Sequence, residues 1–272
     1  MIAKLPVFAF AVIIPAAGLA QDAAAIVRKA VDQYARNEET LRNYTYKSLA
    51  LEREFDSKGN QKTMHSRLNE VLYIGGRRYV RLLQKDGKAL PADEAKHEEE
   101  KLNRAVKEAE RLSPEQRRVR EEEATKQRDR ESMRKVPEAY TMAVIGEPMV
   151  NGRPAWQIHL TPRRDYKGQD AYVYRNIEAT LWIDKQDSSW IRMEADARDT
   201  IVYGLFIARL AKGMHVSMTR SRVNDEVWAL DKLTMKGSAR VALLKDFHVE
   251  AEVTFTDYKR FSTDSRLVDP QF

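Results

Sequence analysis

The acid–base and metal-ligating groups of this chain are five histidines and 41 acidic side chains, with no cysteine at all. His65, His97, His159, His215 and His248 fall in neither H-x-H nor H-x-x-x-H spacing, so no single strand or helix turn delivers two ring nitrogens to one ion. Without cysteine there is no thiolate nucleophile, no thiolate metal site and no disulfide. The chain carries no G-x-S-x-G elbow, no phosphate-binding P-loop and no dinucleotide fingerprint. Its carboxylates alternate with apolar residues along strand-like runs, where they read as a solvated face, and the pattern pairs none of them for acid–base work. The expectation is a non-enzyme with no catalytic residues, no cofactor and no metal. A hydrolase with a site assembled across strands ranks last among the readings.

The side chains that could do something together are apolar. Leu181, Ile183, Met193, Leu233, Met235, Phe247, Val253 and Phe255 recur at alternate positions of long runs, interspersed with the small residues Gly237, Ala239 and Ala251. Methionine and phenylalanine adapt to irregular partners, and small residues leave room between them. These eight are therefore the candidate ligand-binding residues, lining a cavity for a lipid. The competing reading is that helices fill the same face and the eight are ordinary core.

The elements that would position them follow from period. Residues 22–41 place Ile26, Ala30, Val31, Tyr34 and Leu41 on one helical face. From Tyr44 the period drops to two. Strands are expected at 44–55, 61–74 and 77–83, separated by the Asp56–Asn60 turn cluster and by Gly75-Gly76. After 136 the period is two again, with strands at 139–145, 154–161, 174–184 and 190–200 and two long ones through 232–241 and 247–256. The spacing puts Ile177, Ala179, Leu181 and Ile183 inward and Glu178, Thr180, Trp182 and Asp184 on the wet side. Likewise Ile191, Met193, Ala195 and Ala197 are expected to share one face. Long antiparallel strands with one apolar face must curl, which gives a barrel or half-barrel. The octet 203–210 resists the strand pattern and reads as a buried connection or an apolar flap at a cavity mouth.

Two segments stand apart. Residues 1–20 have Lys4, an apolar run and small residues before Gln21, the order of a secretory signal peptide with cleavage ahead of Gln21. The run is shorter than the ~20 apolar residues a bilayer span needs, and no cysteine is available for a lipid anchor. The mature chain, 21–272, is then a single domain with no integral membrane segment, placed in the periplasm or secreted. Residues 92–135 are nearly all Glu, Lys, Arg, Ala and Gln, divided by Ser113-Pro114 into two helices at 92–112 and 114–135. Such a segment is a solvated hairpin or an arm that docks a partner. The formal net charge of +6 is modest and of mixed pattern, with no basic stripe carrying stacking aromatics, so nucleic acid is not expected as a partner.

Three stretches carry a family resemblance. Pro154 to Pro162 (PAWQIHLTP), the pair Ala179–Asp184 (ATLWID) and Trp190–Glu194 (WIRME), and Val253 to Tyr258 (VTFTDY) resemble strands of the LolA/LolB-like periplasmic lipoprotein-carrier superfamily. The order of helix, short meander, inserted helices and long meander is similar over most of the mature chain, although the charged insertion is longer than that pattern requires. The chain also looks like uncharacterised secreted bacterial proteins with the same insertion. The resemblance implies an α+β fold: a curled antiparallel half-barrel, LolA-like, with an N-terminal helix and an inserted charged helical hairpin. It implies a carrier that holds a lipid or lipoprotein acyl chain. The alternative is a non-enzymatic cell-envelope interaction module that docks an envelope protein through the arm.

Overall fold

The computed structural model of the protein describes residues 16–56, 58–131, 133–168, 170–203, 208–241 and 245–261. Most of the expected signal segment, and 204–207 of the apolar octet, lie outside them.

Helix α1 (Ala16–Leu41) starts earlier than the expected residue 22 and runs across the expected cleavage junction. Its buried stripe is Ala23, Val27, Ala30 and Val31, one face of a 3.6-residue period. Asn37 fastens the helix to the sheet, donating to Trp228 O and accepting from Trp228 N–H, both at 2.7 Å. Strands β1 (Tyr44–Phe55), β2 (Gln61–Ile74), β3 (Arg77–Lys85) and β4 (Lys88–Ala89) form the first meander. Helices α2 (Ala92–Glu110) and α3 (Pro114–Glu131), a 3-10 turn (Met133–Lys135) and α4 (Val136–Ala139) interrupt it. The chain then makes β5 (Tyr140–Gly146), β6 (Met149–Val150), β7 (Arg153–Pro162), α5 (Ala171–Arg175), β8 (Ile177–Asp184) and β9 (Trp190–Ala197). It ends with β10 (Ile201–Tyr203), β11 (Ala208–Leu210), β12 (His215–Val223), β13 (Val227–Val241) and β14 (Lys245–Arg260).

One antiparallel sheet contains these strands in the order β4-β3-β2-β1-β14-β13-β12-β9-β8-β7-β5, with β4 and β5 at unpaired edges among the described residues. The first and second meanders are thus stitched together by β1 and β14. A continuous cross-strand row runs Val144, Ile158, Leu181, Met193, Met218, Leu233, Val253 and Ala50, so one face of the sheet is apolar across eight strands. The sheet curls around that face. Strands β2 and β9 are five steps apart, about 24 Å in a flat sheet, yet Tyr73 and Trp190 line one cavity.

The inserted hairpin lies on the β2–β3 end. Its turn is a capping box: Ser113 Oγ accepts from Gln116 N–H at 3.2 Å, and Gln116 Oε1 accepts from Ser113 N–H at 2.9 Å. Helix α2 buries none of its residues. Polar links hold it instead: Lys85 to Glu94 at 2.5 Å and the Leu82 amide to Glu98 at 3.3 Å. At the tip, Gly75 has φ +55°, and a Cβ there would stand 2.8 Å from Ala109 Cβ. Only glycine allows that approach without displacing the helix.

The structure corrects five expectations. Residues 174–175 are helical, in α5, and β8 begins at Ile177. Trp182 and Asp184 are not on a wet face. A bulge between Trp182 and Ile183 also throws Ile191 out of step with Met193, so Ile191 packs with Trp182, Ala155 and Trp228 in a second cluster behind the sheet. The octet's ends pair as the short strands β10 and β11. Finally, β12 is a strand the alternation did not announce.

The second cluster has a charged centre. Asp184 is completely buried and takes both Arg153 Nε (2.5 Å) and Nη2 (2.9 Å), together with the Gln186 and Asp187 amides. Arg153 also reaches Asp187 at 3.3 Å and lies over the Trp228 ring, whose indole N–H donates to Asp187 at 2.9 Å. This network pins the β8–β9 turn to β7 and to the start of β13.

Candidate functional site

The curled face is divided in two. Over β5 and β7–β9 the middle of α1 fills it: Val27, Ala30 and Val31 pack with Ile158, Leu160, Leu181 and Ile183 in a continuous buried cluster. Over β1, β2 and β12–β14, beside the end of α1 that Asn37 and Leu41 seat on the start of β13, a cavity of about 870 Å³ remains, with Tyr34, Glu38 and Leu41 of the helix in its wall. The apolar face is therefore filled by α1 in one part and open in the other. Trp190 sits at the boundary, its ring 6.2 Å from that of Tyr34.

The cavity wall is aromatic. Tyr46 stacks on Tyr258 with centroids 5.0 Å apart and meets Phe255 at 6.1 Å. Tyr73, Met218, Leu230 and Leu41 continue the wall. The Tyr258 hydroxyl donates to Leu230 O at 2.7 Å, which locks its ring. Burial pushes the phenols of Tyr46 and Tyr258 up, and that of Tyr73 up to about 12, so all three stay neutral at physiological pH.

Arginines are set into this wall. Arg220, on β12, is only 2% exposed. A bulge between Thr219 and Arg220 sets it opposite Leu230. Arg220 donates to Glu38 at 3.1 Å and packs against two adjacent rings, its guanidinium 4.4 Å from Trp190 and 5.1 Å from Tyr34. Burial pushes its pKa down, and Glu38 opposes the shift. Arg220 Nε and Trp190 Nε1 are buried with no hydrogen-bond partner among the described residues. Arg42, Arg77 and Arg78 line the outer part, and Glu123 of α3 reaches in to pair with Arg77 at 2.7 Å.

The eight candidate residues are distributed over both halves. Phe255 forms part of the cavity wall. Leu181 and Ile183 are fully buried under α1, and Met193 packs against the same cluster. Met235 packs on the Ile201–Met214 cluster. Leu233 and Val253 are half-buried in the apolar row. Phe247 pairs with Ala239 in register, and its side chain lies outside the described residues. The alternation did not single out Arg220, Trp190, Tyr46, Tyr73 and Tyr258. Tyr34 was read only as part of a helical face. The legible signal was Arg220 itself, a charge at the third alternate position after Val216 and Met218. Among the described residues no group of three or more His, Asp or Glu is gathered as a metal site requires. None of the described helices is long and apolar enough to cross a membrane.

Fold and site together define a helix-capped antiparallel half-barrel with an aromatic cavity under the helix. Among solved structures the chain is similar to an outer membrane lipoprotein-sorting protein domain from Vibrio parahaemolyticus, at 11% identity and TM-score 0.34, over 91% of this chain and 95% of that one. It is similar to a LolA superfamily protein from Nitrosomonas europaea, at 8% identity and TM-score 0.33, over 88% and 94%. A DUF1329 family protein from Desulfovibrio piger aligns at 10% identity and TM-score 0.32, over 88% and 95%. No family model and no curated protein matches the sequence.

Proposed function

We propose that the protein is a periplasmic or secreted binding protein or carrier that holds a lipid or lipoprotein acyl chain in its half-barrel, without catalysis. The observation that carries this reading is the cavity of about 870 Å³ under α1, within the ~300–1,000 Å³ range typical of small-molecule sites. Its aromatic wall matches a hydrophobic ligand that must be shielded in an aqueous compartment. Phe255 belongs to the binding surface in this reading. Leu233 and Val253 lie deeper along the same apolar row, while Leu181, Ile183 and Met193 support it from the filled half.

Protein purified after export, extracted with organic solvent and examined by mass spectrometry, should release a chain-bearing amphiphile in near-stoichiometric amount. Delipidated protein should rebind an acyl-chain fluorophore at micromolar concentration. Clean extracts combined with no uptake of the fluorophore would overturn the carrier reading.

A specific observation also supports the arm as a docking element: α2 buries no residue, so its surface is left for a partner. Removal of 92–131 with a short linker should leave the melting temperature nearly unchanged and abolish capture of an envelope partner. Under a purely carrier role the same deletion changes only the rate of ligand exchange.

A further inference from the structure

Arg220 is the most demanding residue in the cavity. A buried guanidinium is tolerated when its donors find acceptors, and an unmet buried donor is costly. Glu38 accepts from Nη2 at 3.1 Å, and the rings of Trp190 and Tyr34 pack beside the guanidinium. Arg220 Nε has no acceptor among the described residues, and neither does Trp190 Nε1, beside it in the same wall. Two adjacent unmet N–H donors call for one group with two acceptor oxygens. The charge on the wall points the same way: four arginines line the cavity against two glutamates. The Arg220–Glu38 and Arg77–Glu123 pairs use both acids, which leaves Arg42 and Arg78 in excess. Polarity is also graded. The buried end holds Arg220 and Trp190, and the exposed end lies at Gly76–Arg78, with Met218, Leu230 and Phe255 between.

We propose that the cavity takes a single-chain amphiphile with an oxyanion headgroup, seated head-first on Arg220 and Trp190, its chain running outward past Met218, Leu230 and Phe255. This rests on the carrier reading and adds the headgroup class and the orientation. The shared chemistry is a carboxylate or a monoester phosphate on one acyl chain. A charge-assisted pair of hydrogen bonds would satisfy both donors at once, and the net positive wall offsets desolvation of the anion.

The test is a competition assay on delipidated full-length mature protein with three probes: palmitate, 1-palmitoyl lysophosphatidic acid and neutral 1-hexadecanol. At least one acid should bind about tenfold or more tightly than the alcohol, the discrimination expected of a charge-assisted hydrogen bond. Preference for palmitate identifies a carboxylate ligand, and preference for the lysolipid identifies a phosphate. Trp190→Phe and Arg220→Lys should each weaken the acid about tenfold and leave the alcohol within about twofold. Arg78→Gln, at the exposed end, removes one charge of the wall and should weaken the acid less than either inner variant. Glu38→Gln removes a competing carboxylate while keeping Arg220, so it should tighten the acid; it carries the test should Arg220→Lys fail to fold. Equal affinity for acids and alcohol overturns the inference while leaving the carrier reading intact. Loss of acid preference in Arg78→Gln in place of the Trp190 and Arg220 variants overturns the head-first orientation. Failure of all three probes to bind removes the inference and the carrier reading together.

Discussion

Asp184→Ala should lower the free energy of unfolding by about 3–5 kcal/mol, the range for breaking a buried ion pair by removing one partner. The carboxylate is completely buried and accepts four hydrogen bonds, two from Arg153 and one each from the amides of Gln186 and Asp187. Its loss leaves those donors facing a void, and it frees the turn that carries Asp187, the acceptor of the Trp228 indole. Arg153→Met should cost at least as much, because it leaves the completely buried Asp184 carboxylate with only its two amide donors, whereas Arg153, 23% exposed, keeps Asp187 at 3.3 Å when Asp184 is removed. The double variant should lie close to Asp184→Ala alone, because the two side chains act as a unit. Chemical denaturation at pH 7 measures all three. Acid titration gives a second check. Burial disfavours the charged form of Asp184, but Arg153 and the two amides outweigh it and hold the carboxyl below its ordinary value of 3.8. A lowered native pKa means that the unfolded chain binds the proton first. The contribution is therefore complete above pH 3.8 and is lost as pH falls through the native value. The parent should lose stability in that window with a steeper slope than Asp184→Ala. Equal stability of parent and variant at pH 7, or identical acid slopes, would show that the network carries no net stabilisation.

The same residues show where the sequence was legible. Strands β1 and β2 occupy the residues expected of them, because Tyr44–Phe55 and Gln61–Ile74 alternate cleanly between turn residues that cannot be mistaken. Helices α2 and α3 were equally plain, since composition and Ser113-Pro114 fix both their type and their division. A barrel or half-barrel followed from strand length and one-sided alternation, and the resemblance implied the unclosed form. What alternation cannot carry is a bulge. One extra residue near Ile191 reverses the faces on either side of it, and the change is a matter of backbone register that no side-chain pattern records. The site was hidden for a related reason. A functional cavity inside a half-barrel needs polar groups at inward positions, and each such group interrupts the pattern that reveals a strand. Arg220 does this in β12, so the strand and its charged residue were missed together. Tyr46 and Tyr258 were ambiguous for another reason: tyrosine fits either face of a strand.

Because α1 fills one half of the curled face and leaves the other open, two truncations on that face should behave in opposite ways. Leu181→Ala should cost about 2–5 kcal/mol in unfolding free energy, with little effect on ligand affinity. Leu181 is fully buried, paired with Ile158 and Met193 across the sheet and capped by the stripe of α1, so the void left behind has rigid walls. Phe255→Ala should cost far less than the ~3–5 kcal/mol of a phenylalanine removed from a closed core. Phe255 is only half-buried and borders space that is already empty, so its loss enlarges a cavity without creating one. It does remove a ring that Tyr46 contacts at 6.1 Å, and the affinity for an acyl-chain fluorophore should fall several-fold as the wall recedes. Thermal melts and fluorophore titrations of the two variants separate the effects. A large stability loss from Phe255→Ala with unchanged affinity would mean that the space lined by Phe255, Tyr46 and Tyr258 is closed core in solution. A small loss from Leu181→Ala would mean that α1 is not seated on β8, and the division between filled and open halves would fall with it.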